Sequence, residues 1–171
     1  LPAKGELRVS WGDNQVLIET EDMKIISRTI EGNFPEYSGI IPKKFEAASF
    51  INKEKLLEAI RSSSIFASKL QEVRLSLSRQ TLEITSSNPE VGEYKTKLEV
   101  QLSGKTFSNL NEDSDKTVIN LGFNFRYLLD GLASLDEEEI FLGLNSENAP
   151  TMVHNRGDDL FKYVLMPIRV S

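Results

Sequence analysis

Cysteine is absent from the 171-residue sequence, and histidine and tryptophan occur once each. The first absence removes disulfides, thiol nucleophiles and zinc-thiolate sites together, and it fits a reducing cytoplasm. With one histidine, any Ser-His pair would have to be built on His154, and no Gly-x-Ser-x-Gly elbow accompanies it. His154 is read as an ordinary strand residue. No apolar run approaches the ~20 residues that cross a bilayer. The opening "LPAKGELRVSW" also lacks the charged-then-apolar layout of an export signal, so a soluble, unexported protein is expected. Positive charge is scarce as well: 20 Lys and Arg stand against 26 Asp and Glu, a net charge of −6. General affinity for nucleic acid is thereby disfavoured, although a local basic surface on an acidic body stays open.

Chemistry-bearing motifs are equally sparse. "NEDSDK" (111–116) lacks the central glycine and distant glutamate of a calcium loop and reads as a solvated loop. Gly131 and Gly143 stand in no phosphate-cradling spacing. "DEEE" (136–139) follows a helical segment and is expected to face water, and Trp11 is read as a strand-end anchor. No catalytic residue, metal site or cofactor is expected.

What the chain has is pattern. Hydrophobic residues at 39% and charged residues at 27% are ordinary for a globular protein. "ELRVSW", "VLIET" and "KIISRTIEG" alternate and are separated by turn signals, predicting a three-strand meander. "NFPEYSGIIPKK" breaks the pattern with Pro35 and Pro42 and is placed as a linker. After a strand "FEAASF", the period lengthens in "INKEKLLEAIRSSSIFAS": Asn52 can cap a helix whose stripe is Leu56, Leu57, Ile60 and Ile65. Lys53, Lys55, Arg61 and Lys69 form its candidate basic face, diluted by Glu54 and Glu58. A hairpin at 73–88 and a strand from 93 follow. The order then recurs: strand "TVINLGF", helix "NFRYLLDGLASL" with Phe125, Leu128, Leu129 and Leu132 on one face, hairpin 138–155, and a closing strand "FKYVLMPIRV". A strand–helix–three-strand unit used twice predicts an α+β fold, with helices on one face of antiparallel sheets.

Three stretches in this order resemble the β subunit of bacterial DNA polymerase III, the sliding-clamp family: "SRTIEGNFPEYSGIIP", ending at Pro42, "INLGFNFRYLLDGLASL" (119–135) and "YVLMPIRV" (163–170). The resemblance runs over the whole chain. It implies a DNA-clamp fold, with residues 1–36 as the closing part of a middle domain and 37–171 as a complete third domain of a longer chain. It further implies a non-catalytic subunit of the polymerase holoenzyme, cytoplasmic and nucleoid-associated. Such a ring dimer holds double-stranded DNA topologically, without sequence preference.

A groove for peptide motifs of polymerases, the clamp loader and repair proteins would carry over to Pro35, Gly39, Ile40, Leu70, Asn124, Tyr127, Thr151, Val164, Leu165, Met166, Pro167 and Arg169. Val164, Leu165 and Met166 are expected to form its apolar floor. Gly39 stands where many clamps carry arginine. The DNA-facing candidates are Lys53, Lys55, Arg61, Lys69 and Arg126, and the dimer-face candidates are Ser64, Ile65 and Phe66. The rival readings are a small hydrolase or carbohydrate-active domain, which would need a nucleophile or carboxylate pair in a cleft, and a peptide-binding scaffold without DNA.

Overall fold

The computed structural model describes residues 5–100, 119–157 and 160–168. The chain divides into two compact units, Leu1–Tyr37 and Ser38–Ser171. In the first, β1 (Arg8–Trp11), β2 (Gln15–Glu19) and β3 (Lys24–Arg28) form the expected antiparallel meander in the order β1-β2-β3. Trp11 stands 75% exposed at its strand end.

The second unit holds two repeats. The first runs β4 (Ala47–Asn52), α1 (Lys53–Ser64), β5 (Glu72–Leu77), β6 (Thr81–Asn88) and β7 (Gly92–Glu99). The second runs β8 (Ile119–Asn124), α2 (Phe125–Ala133), β9 (Glu139–Leu144), β10 (Thr151–Asn155) and β11 (Tyr163–Leu165). The sheets do not follow the repeats. β4 leaves its own hairpin and completes β11-β10-β9-β4, while β8 completes β7-β6-β5-β8. Each exchanged strand is paired over its full length, from Ala47↔Leu144 to Asn52↔Glu139 in one sheet and from Glu72↔Asn124 to Leu77↔Ile119 in the other.

Alternation decides which face of each sheet is dry. Val73, Leu75, Leu77, Leu82 and Ile84 are buried from one sheet, Ala47, Ile51, Ile140, Leu142 and Leu144 from the other. Leu56, Leu57 and Ile60 of α1 and Leu128 and Leu132 of α2 fill the space between, and these residues form one continuous core. Ile65 departs from the expected stripe. It is the C-cap residue of α1, where the chain leaves the helix, and is 70% exposed.

Both helices begin in the same way. The Asn52 side chain accepts the Lys55 N–H at 3.0 Å and the Asn124 side chain accepts the Arg126 N–H at 3.0 Å, each satisfying a donor that the first turn leaves orphaned. Replacing either asparagine by alanine is expected to cost about 1 kcal/mol, read as a lower urea midpoint at unchanged slope. Unchanged midpoints in both variants would show that the caps carry no stability.

Candidate functional site

The C-terminal segment is expected as one strand, but the structure divides it. β11 pairs with β10 through Thr151↔Leu165, Met152↔Val164 and Val153↔Tyr163. It then stops, because Pro167 has no N–H to donate and pushes Met166 out of helical geometry. Beyond the proline the Ile168 N–H donates to the Gly122 carbonyl at 2.8 Å, an antiparallel bridge to β8 in the other sheet. Residues 163–168 therefore tie the two sheets together, and Met166 is left 53% exposed at the crossing.

This path corrects the expected floor. Val164 and Leu165 point to opposite faces, as neighbours on a strand must. Leu165 and its partner Thr151 lie on the core side at 8% and 0% exposure, so neither presents a surface to a ligand. The Thr151 hydroxyl is buried without a hydrogen-bond partner. Val164, half-buried, shares the other face with Met152.

Several of the anticipated residues are exposed. Leu70 is 72% exposed, Tyr127 60% and Ile40 55%. Gly39 is exposed, with nothing within 4 Å of where a Cβ would stand. Leu70 precedes Gln71, whose φ of 58° places it in the left-handed region that a side chain rarely adopts. Gln71 is held there from three sides. Its N–H donates to the Ser68 carbonyl at 2.8 Å, its carbonyl accepts the Phe125 N–H at 2.9 Å, and its side-chain oxygen accepts from Asn124 at 3.4 Å. Both polar ends of the Asn124 side chain are thus engaged within the chain, one as the α2 cap. Pro35 is exposed in the first unit, and Arg169 lies outside the described residues, as does the loop 111–116.

On α2, Tyr127 and Asp130 are exposed one turn apart, and Gly131 is buried between the helix and β11. A Cβ on Gly131 would lie 2.4 Å from the Tyr163 ring, which explains a helix-weakening residue in this position. Burial first, then the Asp130 carboxylate and then Tyr127 push the Tyr163 phenol above its ordinary range.

Of the basic candidates, Lys55, Arg61, Lys69 and Arg126 are exposed. Lys53 is not a free cation. Its Nζ donates to the Leu135 carbonyl at 3.0 Å, lies 3.8 Å from Glu54, and its side chain is only 16% exposed. It pins the exit of α2 onto the start of α1. Of the dimer-face candidates, Ile65 is exposed, Ser64 is half-buried with its hydroxyl donating to the Arg61 carbonyl at 2.7 Å, and Phe66 stacks on Tyr94 of β7 at 5.8 Å.

The "DEEE" carboxylates are not simply solvated. Glu137 accepts the Gly157 N–H at 3.0 Å, Glu138 accepts from Asn52 at 3.1 Å, and Glu139 pairs with Arg156. They brace strand ends. His154 is a strand residue, stacked on Phe141 at 4.5 Å. A concavity of about 710 Å³ beside β5, β6 and β7 is lined by Glu72, Arg74, Thr85, Ser87, Tyr94 and Lys95, among others, and contains none of the residues implied for peptide binding. Among the described residues no group of three potential ligands could hold a metal ion, and no helix is long and apolar enough to cross a membrane.

Residues 38–169 match the family described as DNA polymerase III beta subunit, C-terminal domain. The chain belongs to this family. Among curated clamp-family relatives, the beta sliding clamp of Pseudomonas aeruginosa is 28% identical over 97% of this chain and 42% of its own length, and that of Rickettsia bellii is 31% identical over 98% and 44%. The chain thus spans less than half the length of these relatives. Among solved clamps, a DNA polymerase III subunit beta from Pseudomonas aeruginosa superposes with a TM-score of 0.81 at 28% identity, covering 97% of this chain and 43% of that one. A sliding clamp from the same organism, bound to griselimycin, superposes at 0.79 with 28% identity, over 97% and 42%. The antiparallel sheets with helices on one side are the clamp fold.

Two outcomes follow from the site's construction. Because the folded-state value of Tyr163 is raised, its contribution to stability is complete below the unfolded value near 10 and is lost as pH rises through the folded value. A difference ultraviolet titration against Tyr163→Phe should show one tyrosine ionising later than a free phenol; ionisation at the ordinary value would contradict the packing against Gly131. Gln71→Val, with a branched side chain in the left-handed region, should lose about 1–3 kcal/mol in urea melts, whereas an unaffected variant would mean that the turn relaxes freely.

Proposed function

We propose that this chain acts as part of a bacterial sliding clamp, a non-catalytic processivity factor of chromosomal replication in the cytoplasm, associated with the nucleoid. As a ring dimer it encircles double-stranded DNA without reading sequence. Its partners dock short peptides at the C-terminal crossing. The middle-domain assignment of residues 1–36 and the third-domain assignment of 37–171 belong to the same reading. Family membership supports it, and the rival hydrolase reading finds no comparable support.

The observation that carries the peptide site is the exposure of Leu70, Tyr127 and Met166 around a strand crossing whose neighbours are buried. Large apolar side chains held outward by rigid elements suit the anchors of an incoming peptide, and the unbranched Met166 can adapt to different ones. Gly39, Ile40, Val164 and Arg169 complete the proposed contact set, and the buried Pro167 lies beneath it. Thr151, Leu165 and Asn124 support it from within.

DNA contact would be diffuse. Lys55, Arg61, Lys69 and Arg126 are exposed together with Glu54, Glu58 and Asp130, so a weak field that permits sliding is expected, without a tight grip. Exposed Ile65, with Ser64 and Phe66 beside β7, is the proposed dimer face.

Calorimetric titration with a peptide of the glutamine-leucine-leucine-phenylalanine type tests the site. Saturable binding at ~10–100 μM, weakened at least about tenfold by Met166→Ala and by Tyr127→Ala, is expected. Absence of binding, or binding indifferent to both substitutions, would overturn the assignment.

A further inference from the structure

We propose that Asp130, between the rings of Tyr127 and Tyr163, forms a cation-accepting corner that selects a lysine or arginine side chain in the peptide docked beside it. The inference rests on the peptide-site reading and adds a charge preference to an otherwise apolar surface.

The placement comes from two elements. Asp130 lies three residues after Tyr127 on the exposed side of α2, the spacing at which helix side chains are neighbours. On its other flank, Gly131 lets the Tyr163 ring approach so closely that a Cβ would stand 2.4, 2.6 and 2.9 Å from three ring carbons. Tyr163 begins β11, which ends at Leu165 immediately before Met166, so the corner is continuous with the proposed anchor surface. The electrostatic influence of Asp130 and Tyr127 on the Tyr163 hydroxyl reflects the same proximity.

A purely structural role for Asp130 fits poorly. The residue falls in the last turn of α2, which holds no basic side chain, and there the negative end of the helix dipole disfavours a carboxylate. Its backbone carbonyl accepts from the Ser134 hydroxyl at 2.8 Å, but among the described residues its carboxylate has no ion pair, and Arg126, one turn earlier, does not form one. An unpaired carboxylate at a helix C-terminus, with a tyrosine on either side of it in the fold, favours positive charge there. Aromatic faces and carboxylates together are what ammonium and guanidinium groups recognise. The elongated aliphatic stem of lysine or arginine would also lie along Tyr127.

The test is a set of calorimetric titrations with peptides that share apolar anchors and carry lysine, norleucine or glutamate at each flanking position in turn. Binding of the norleucine peptide to the wild-type chain reports the groove itself, and its absence would sink both readings together. Given that binding, lysine is expected to tighten affinity at least threefold over norleucine at one or more flanking positions, with glutamate weaker. The lysine-to-norleucine ratio should fall to one in Asp130→Asn, and glutamate should become the preferred residue in Asp130→Lys. No lysine preference at any position in the wild type would overturn the inference while leaving the groove standing. A preference that persists unchanged in Asp130→Asn would do the same. Tyrosine titration of Asp130→Asn, with Tyr163 still ionising later than a free phenol, verifies that the corner remains packed.

Discussion

The second unit depends on an exchange: each repeat donates its first strand to the other repeat's sheet. Neither repeat can complete a four-stranded sheet by itself, because the β5–β7 strands need β8 and the β9–β11 strands need β4. A helix follows each donated strand without a break, so strand pairing also fixes where α1 and α2 start. Non-local ladders of this kind are costly to close and strongly registered once closed, since a slip by one residue would turn Leu75, Leu121 and Leu142 outward. The single core shared by both sheets and both helices follows from that exchange.

The proposed binding surface is a by-product of the same architecture. Two sheets built by exchanging strands between repeats leave a seam, and the C-terminal segment crosses it by pairing first with β10 and then with Gly122 of β8. Pro167 forces the break between the two pairings. Met166, next to it, belongs to neither ladder, and its side chain is free to face outward. The strained Gln71 and the capping Asn124 converge on the same seam, so rigid backbone surrounds the exposed apolar groups. Pre-organisation of this sort lowers the entropy that a docking peptide would otherwise lose.

Much of this was legible in the residues. Alternation in "VRLSLSRQTLEI" and the helical stripe of Leu56, Leu57 and Ile60 set element type and buried face, and the Asn52 cap lay where the period changes, whereas the matching cap at Asn124 emerged only from the structure. Other features were not readable, for identifiable reasons. Strand exchange leaves no local trace, because β4 has the same alternation whichever hairpin it joins. Burial of Leu165 follows from its register with Thr151, and an apolar run does not say which of its members faces in. Lys53 looked like part of a basic face because the Leu135 carbonyl that holds it is far away in sequence. The left-handed turn at Gln71 had no glycine or asparagine to announce it, and the Gly131–Tyr163 contact joins two elements that no spacing rule connects.

The central claim is that the seam crossed by residues 163–168 is the peptide-docking surface, and amide chemical-shift mapping on the isotopically labelled chain tests it most directly. On addition of a clamp-binding peptide, the account predicts shifts concentrated at Leu70, Gln71, Asn124–Asp130 and Tyr163–Ile168, with β6 and β7 unmoved. Shifts centred on the β5–β7 concavity, or spread evenly over the chain, would contradict it.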